Sequence, residues 1–452
     1  MFSVRSCARE PPGRPVMDEY LRHAHVLANR ILSGRLRPGD RLPPQRVYAR
    51  ERGIAASTAA RVYGELRRRG LVVGEVGRGT YVRAAPPVAE AAALTAAPPG
   101  AAPADLELTY PSAPGQSAAL AASLAPLLRP DVLARVTAPL SPRGTRAARE
   151  AAARLFGAAG DPERVLFAGN GRQALAAAFT CAVPRGGVIG VEALTYPLVK
   201  AVAERLGRVL VPLPLDAYGI VPAALAAERP AALYFQPAPH NPTGRVMPPE
   251  RQAELAEVAA RLRIPVIEDR VWSFLADPEA ERVFGALAPE RAYVVESLSK
   301  RIAPGLTAGV LLVPEGRTAW AETALREGGW AAGGFAVEAA ARLLADGTAA
   351  RLAAAKRADA ARRQRVAAGE LSRTEAHASG YFTWWHLPAP WRAEPFAAAA
   401  RAAGIAVTPG AAFAVPPYTA PHTVRLGLAA LPVPALRRTL RTLAALAAAP
   451  PA

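Results

Sequence analysis

Residues 84–104 read AAPPVAEAAALTAAPPGAAPA, almost nothing but alanine and proline, with few groups able to pack or pair. Such a run behaves as a partly extended linker. It divides a chain of 452 residues into a short arm and a long one, each of which must build its own interior. The expected organisation is therefore a domain over 17–83, the linker 84–104 and a larger domain over 105–452, with a smaller subdomain from about 353.

The short arm is strongly basic. Residues 1–83 hold 17 arginines and no lysine against 7 acidic residues, a net +10 out of +18 for the chain. An excess of this kind suits a polyanion, because neutralised phosphates release counterions; charge alone leaves DNA, RNA and an anionic membrane surface equally open. The pattern narrows the choice. "DEYLRHAHVLANRILSGRL" places Leu21, Val26, Leu27, Ile31 and Leu32 at helical spacing before Gly34. Pro44 opens a second helix that Gly53 breaks, and a third covers roughly Ala55 to Arg69. "GLVVGEVGRGTYV" reads as two short strands around a turn. Three helices and a hairpin form the winged helix-turn-helix plan, whose third helix enters the major groove of duplex DNA. Ser57, Thr58 and Arg61 near the start of that helix, with Arg46 before it and Arg78 in the wing, are the expected DNA contacts.

The motifs "GRLRPGDRLP", "ARVYGELRRRGLV" and "GRGTYV" resemble the GntR group of bacterial winged-helix regulators over about Val26 to Val82. Two departures stand out. "PQR" (Pro44 to Arg46) replaces the usual Ser-Glu-Arg, and Ala55-Ala56 replaces Ser-Arg, which removes one frequent contact to guanine.

The long arm alternates apolar strands with helices: "RVLFAG", "GVIGVE", "RVLVPL", "ALYFQP", "PVIEDR", "AYVVES" and "AGVLLVP", with amphipathic stretches such as Pro249 to Leu262 between them. This implies an α/β fold, a mostly parallel sheet covered by helices on both faces. Beyond about Ala353 come an Arg/Ala-rich helix and the strand "YFTWWHL". Ligands of open α/β sheets sit at the carboxyl ends of strands, so residues there carry the functional signal.

Lysine is that signal. Of 55 cationic residues only Lys200, Lys300 and Lys356 are lysine. Arginine serves for surface charge, but only an amine whose pKa can fall forms a Schiff base with an aldehyde. Lys300, in "SLSKRIAPGL", is thus either an aldehyde-binding residue or a surface lysine that escaped the bias. Its surroundings favour the first. "GNGRQAL" puts Asn170, Gly171, Arg172 and Gln173 where a strand turns into a helix, a place suited to phosphate. "PAPHNPTG" puts Asn241, and "PVIEDR" puts Asp269, at the ends of other strands, and Tyr196 in "EALTYPLVK" could stack on a ring. A phosphate cradle, an aldehyde-binding lysine, a carboxylate for a ring nitrogen and an amide for a phenolate oxygen together describe pyridoxal 5'-phosphate.

From about Asp105 to Leu443 the chain resembles the fold type I aminotransferases, through "NPTG", "SLSKRIAPGL" and "VRLGL". With its basic arm, the whole resembles the MocR-type regulators, in which a GntR-like winged helix is joined to an aminotransferase-like effector domain. That resemblance implies a PLP-dependent transferase-like domain with large and small subdomains, a homodimer, and Arg425 as the group that binds the carboxylate of an amino-acid ligand. Three positions depart from the family. Thr307 replaces an arginine that grips the cofactor phosphate, and Trp272 is the nearest match to a tyrosine that bonds the phenolate. Pro139 stands where a tyrosine would reach the partner subunit's phosphate. Arg172 or Arg301 could compensate by charge.

The expected function is a DNA-binding transcriptional regulator that binds pyridoxal phosphate and senses an amine or amino acid. A working transaminase with an accessory basic domain, and a regulator that no longer uses the cofactor, remain the alternatives. Cys7 and Cys181 have no metal-ligand spacing, and no apolar run reaches the length of a membrane span. The opening "MFSVRSCAREPPGRP" has no apolar stretch suited to a signal peptide, so no metal, no membrane and a cytoplasmic location are expected.

Overall fold

The computed structural model describes residues 19–32, 35–36, 40–68, 71–75, 79–82, 104–276 and 283–450. The chain forms two units, residues 1–89 and 90–452. Residues 84–103 of the linker and Arg78 lie outside the described residues. Ala104 does not belong to the linker, since it opens a short strand of the second unit.

In the first unit the helices Glu19–Leu32, Gln45–Arg52 and Ala56–Arg68 precede an antiparallel pair, Val72–Glu75 with Gly79–Val82. Gly53 ends the second helix at φ 63°, a left-handed conformation that costs glycine nothing, and its amide caps the carbonyls of Ala49 and Arg50. Leu27, Tyr48, Val62, Tyr63 and Leu66 form the interior. The Tyr63 hydroxyl donates to the Pro43 carbonyl at 2.6 Å, which ties the third helix to the turn before the second. Val26 departs from its expected place. Ala24, Leu27 and Ala28 face inward, and Val26 lies about 100° around the helix from Leu27 with half its surface in water.

The second unit is built on a seven-stranded sheet made of the seven segments anticipated from the sequence. Their order is Val165–Ala168, Gly309–Leu312, Ala292–Ser297, Val266–Asp269, Ala232–Phe235, Val188–Glu192 and Val209–Leu213. All run parallel except Gly309–Leu312, which is antiparallel to both neighbours. Successive residues feed opposite faces: Phe167, Leu233, Phe235 and Val294 enter one core, while Leu166, Tyr234, Tyr293 and Val295 enter the other. Both faces are covered, the first by Pro249–Leu262 and the second by Gly171–Ala182.

The long helix Thr348–Glu370 leads into a smaller four-stranded sheet, ordered Thr374–Glu375, Phe382–His386, Thr423–Gly427 and Thr408–Pro409. The helix begins five residues before the anticipated Ala353 because Gly347, at φ 79°, supplies its left-handed entry. Ala104–Asp105 pairs in parallel with Ile405–Ala406, so the start of this unit is anchored to its small subdomain.

Because Gly309–Leu312 runs against its neighbours, its first residue lies at the sheet edge where Val165–Ala168 and Ala292–Ser297 end. A Cβ on Gly309 would stand 2.3 Å from the Asn170 carbonyl oxygen, and one on Gly171 would stand 2.8 Å from Ser297 Cβ. Gly309→Ala should therefore destabilise the protein by about 1–3 kcal/mol, since backbone cannot yield as a side chain does. Gly369→Ala, on the helix Thr348–Glu370 with nothing within 4 Å, should be neutral or stabilising. Urea unfolding of the two variants checks this, and equal midpoints would contradict it.

Candidate functional site

Along that edge lies a cavity of about 190 Å³. Asn170, Gly171, Arg172, Tyr196, Asn241, Asp269, Lys300 and Arg425 all line it, so eight residues anticipated from scattered motifs meet in one place. Thr307 and Trp272 line it as well. Gln173 does not: its backbone amide donates 3.0 Å to Asn170 Oδ1, which caps the helix Gly171–Ala182.

The capped helix leaves the amides of Gly171 and Arg172 without an intrahelical carbonyl, at the positive end of the helix. Beside them, Ser297 Oγ lies 2.9 Å from Ser299 Oγ and 3.4 Å from Thr307 Oγ1, a cluster of hydroxyls on the cavity wall. Arg172 is exposed and lines the cavity. Arg301 is turned away and paired with the buried Glu296 at 2.9 Å, so of the two arginines only Arg172 is placed to compensate for Thr307.

Lys300 stands on the short helix Leu298–Arg301. Its Nζ donates 2.8 Å to the Thr109 carbonyl and lies 3.7 Å from the Tyr110 ring centre and 5.3 Å from that of Trp272. Burial, then the charges of Arg425, Arg172 and Lys356, hold its amine well below the usual lysine pKa. A neutral amine is the nucleophilic form. Lys356 is fully buried on Thr348–Glu370 and donates to the carbonyls of Lys300 at 3.0 Å and Ile302 at 2.6 Å; burial lowers it to about 8. It thereby fixes the turn that presents Lys300.

Asp269 ends its strand in a buried position, where desolvation raises its pKa. Three donors offset part of that cost: the Val271 amide at 3.1 Å, the Tyr234 hydroxyl at 2.8 Å and the Gln236 amide group at 2.9 Å. The Gln236 side-chain oxygen also accepts from the Asn241 backbone amide at 3.2 Å, and the Gln236 backbone amide donates 3.0 Å to Glu192. The next residue back, His240, is neutral. Burial lowers it to about 4, with Nε2–H donating to Leu194 and Nδ1 accepting from Thr243. Tyr196 precedes the helix Pro197–Arg205, and burial keeps its phenol protonated.

Two buried polar atoms on this wall have no partner among the described residues, Asn241 Oδ1 and Arg425 Nε. Burying such atoms unpaired is unfavourable unless a ligand satisfies them. Burial lowers Arg425 to about 10, so it remains a cation. An anion for the helix end, an aldehyde for Lys300, a ring nitrogen for Asp269 and a carboxylate for Arg425 are the complementary groups. The residues present fit pyridoxal phosphate together with a carboxylate at Arg425.

Tyr234, Gln236, Ser297, Ser299 and Lys356 were not singled out from sequence. Lys356 alone left a trace, as one of three lysines among 55 cations. In the first unit, Arg46, Ser57 and Arg61 are exposed and Thr58 is half-buried, while the Arg61 guanidinium lies 3.8 Å from the centre of the Tyr20 ring. Among the described residues no helix is long and apolar enough to cross a membrane, and no cluster of His, Cys, Asp or Glu could hold a metal ion.

Comparison with known proteins follows the same division. Residues 135–443 match the family described as "Aminotransferase class I and II", and residues 20–82 match "Bacterial regulatory proteins, gntR family". The chain is 28% identical over 305 residues to the "uncharacterized HTH-type transcriptional regulator YdeF" of Bacillus subtilis (strain 168), a match spanning 64% of each protein. It is 26% identical over 316 residues, 63% of each, to the "HTH-type pyridoxine biosynthesis transcriptional regulator PdxR" of Corynebacterium glutamicum. Among solved structures, Pyrococcus horikoshii kynurenine aminotransferase superposes with a TM-score of 0.72 at 19% identity, covering 81% of this chain and 95% of that one. That likeness shows the fold.

Tyr234→Phe removes one donor from Asp269. Donors favour the ionised carboxylate, so the variant raises a pKa that is already raised, and stability is lost as pH rises through it. The expected loss is about 1.5–3 kcal/mol where the carboxyl is ionised, shrinking as the pH falls and it protonates. Denaturant unfolding over a pH series reads this directly, and a loss independent of pH would contradict it.

Proposed function

Because the chain belongs to the class I and II aminotransferase family, with a gntR-family domain ahead of it, we propose that it is a DNA-binding transcriptional regulator. Its aminotransferase-like unit binds pyridoxal phosphate and senses an amine or amino acid. The observation that carries this reading is the convergence of Lys300, Asp269, Asn241 and Arg425 on one cavity, in a chain whose separate basic unit has the winged-helix form. When bound, the cofactor supplies an electrophilic aldehyde and an electron-withdrawing ring. Lys300 would hold the aldehyde and Asp269 the ring nitrogen. The Asn241 amide would face the phenolate oxygen, Tyr196 the ring, and Gly171, Arg172, Ser297 and Ser299 the phosphate. Arg425 would take the carboxylate of the sensed amino acid in a bidentate pair.

Duplex DNA is the proposed macromolecular partner, met by Arg46, Ser57, Thr58, Arg61 and Arg78. A homodimer in the cytoplasm is the proposed form. Thr307, Trp272 and Pro139 leave the cofactor less firmly positioned than in a dedicated transaminase. Small misplacements of reacting groups cost orders of magnitude in rate, so slow half-transamination at most is expected. Turnover of amino acid and 2-oxo acid at rates typical of enzymes, about 1–1000 per second, would instead favour the transaminase reading.

The visible absorbance of the purified protein with pyridoxal phosphate, before and after borohydride, tests the site. Wild type should show a band that borohydride bleaches while fixing the cofactor on Lys300. Lys300→Arg should show neither the band nor the adduct and should still bind DNA. Thr307→Arg should tighten cofactor binding by roughly 1.5–3 kcal/mol through a charge-assisted phosphate contact. A colourless wild type that responds to ligand as Lys300→Arg does would mean a regulator that has lost the cofactor.

A further inference from the structure

The segment that lies over the cavity is the first one after the linker. Its rear is fixed to the small subdomain. Ala104–Asp105 pairs with Ile405–Ala406, the Leu106 side chain is fully buried, and the Leu106 amide donates 2.9 Å to the Ala406 carbonyl. The Gly427 amide donates 2.6 Å to the Leu106 carbonyl, and a Cβ on Gly427 would stand 2.5 Å from the Leu108 oxygen, so the segment passes close over that strand. Asp105 Oδ1 shapes the turn that follows by accepting from the amides of Glu107 at 2.8 Å and Leu108 at 3.2 Å.

The front of the segment lies on the two ligand-facing nitrogen groups, the Lys300 amine and the Arg425 guanidinium. The Thr109 carbonyl accepts from Lys300 Nζ, with the Tyr110 ring against the same amine. Two residues earlier, the Glu107 carbonyl accepts from Arg425 Nη2. That nitrogen has two N–H bonds, and its second acceptor is Thr408 Oγ1 at 3.1 Å. A guanidinium offers a carboxylate two forks, Nε with Nη2 and Nη1 with Nη2, and both use Nη2. A bidentate carboxylate on Arg425 therefore needs an N–H that Glu107 or Thr408 now holds. Lys300 poses the same conflict. Condensation of its neutral amine with an aldehyde forms a C=N bond and releases one water, made from the aldehyde oxygen and both amine hydrogens. Nζ is left with no N–H for Thr109, or with one if the nitrogen takes up a proton.

Resting on the reading of Lys300 and Arg425 as ligand-binding groups, we infer that residues 104–110 form a strap that competes with the ligand for both groups. Occupancy of the site releases the strap, and because residue 104 continues into the segment leading to the DNA-binding unit, release is how occupancy reaches that unit. The strap is selective by construction. A ligand that engages only one of the two groups frees only one of the two carbonyls, whereas a cofactor aldehyde held on Lys300 together with a carboxylate on Arg425 engages both.

Hydrogen exchange on the full chain reads the strap without reference to turnover. On adding pyridoxal phosphate with a 2-oxo acid, which has no amine to displace Lys300 from the aldehyde while its carboxylate takes Arg425, the amides of Leu106 and Gly427 should exchange at least about fivefold faster, and with pyridoxal phosphate alone by less. Unchanged or slower exchange in a protein that absorbance shows to be loaded would overturn the proposal. A second arm needs no ligand. The chain has three lysines, so labelling with trinitrobenzenesulfonate is assigned by mass spectrometry, with Lys200 and Lys356 as internal references. Asp105→Ala removes the acceptor that shapes the strap and should speed labelling of Lys300 about threefold or more relative to both references, while Asp105→Asn, which keeps an acceptor, should match wild type. Equal labelling in all three proteins would overturn the strap. Failure of pyridoxal phosphate to bind would sink the functional reading instead, and the labelling arm would still decide the strap. If Asp105→Ala does not fold, exchange in the wild type decides it.

Discussion

The site depends on one close approach of backbone to backbone. Among the described residues, Gly309 begins the one strand of the central sheet that opposes its neighbours, and it passes so near the Asn170 carbonyl that no side chain fits between them. That approach sets the turn Asn170–Gly171 beside the end of Ala292–Ser297, and so sets the helix N-terminus beside the serines and Lys300. A parallel strand in this position would begin at the opposite edge of the sheet. The glycines at 171 and 309 are therefore geometric requirements of the cavity.

A second constraint is electrostatic. Lys300 and Arg425 line one small cavity with the exposed Arg172 at its wall, and holding like charges close together where water is partly excluded is costly. The cost at Lys300 is eased by a pKa that burial and the neighbouring cations hold well below the usual lysine value, which favours the uncharged form able to attack an aldehyde. Arginine could not do this, because its guanidinium stays charged. The same reasoning extends to Lys356, whose buried amine is lowered to about 8 while it holds two carbonyls of the Lys300 turn. Lys200 donates to the Ala412 and Ala414 carbonyls. All three lysines in a chain rich in arginine thus reach backbone carbonyls in the aminotransferase unit.

Much of this was legible in the sequence because it follows from local pattern. Seven apolar segments became the seven strands of the sheet, Pro249–Leu262 is a helix with the expected bounds, and Gly53 closes its helix as a left-handed cap. Eight of the nine anticipated ligand-site residues line one cavity because strand ends gather at one edge of an α/β sheet. What sequence did not show depends on side-chain direction and on contacts distant along the chain. Gln236 and Tyr234 hold Asp269 across adjacent strands, and neither sits in a recognisable motif. Gln173 lies outside the cavity lining, and its backbone amide closes the cap of the helix Gly171–Ala182. Arg301 neighbours Lys300 in sequence but turns toward Glu296. The strap was hidden by its setting, since "ADLELTY" follows an alanine-proline run and is joined to the site only by the pairing of residues 104–105 with 405–406.

The central claim is that one chain couples this cavity to DNA. The most direct measurement is the affinity of the full-length protein for a duplex from upstream of its own gene, followed by fluorescence anisotropy over a series of salt concentrations. It is made with and without pyridoxal phosphate and a mixture of amino acids, in wild type and in Lys300→Arg. The account predicts specific binding that weakens steeply with salt, as phosphate contacts require, and an affinity that ligand shifts in wild type only. No specific complex, or an affinity in wild type that ligand leaves unchanged, would contradict it.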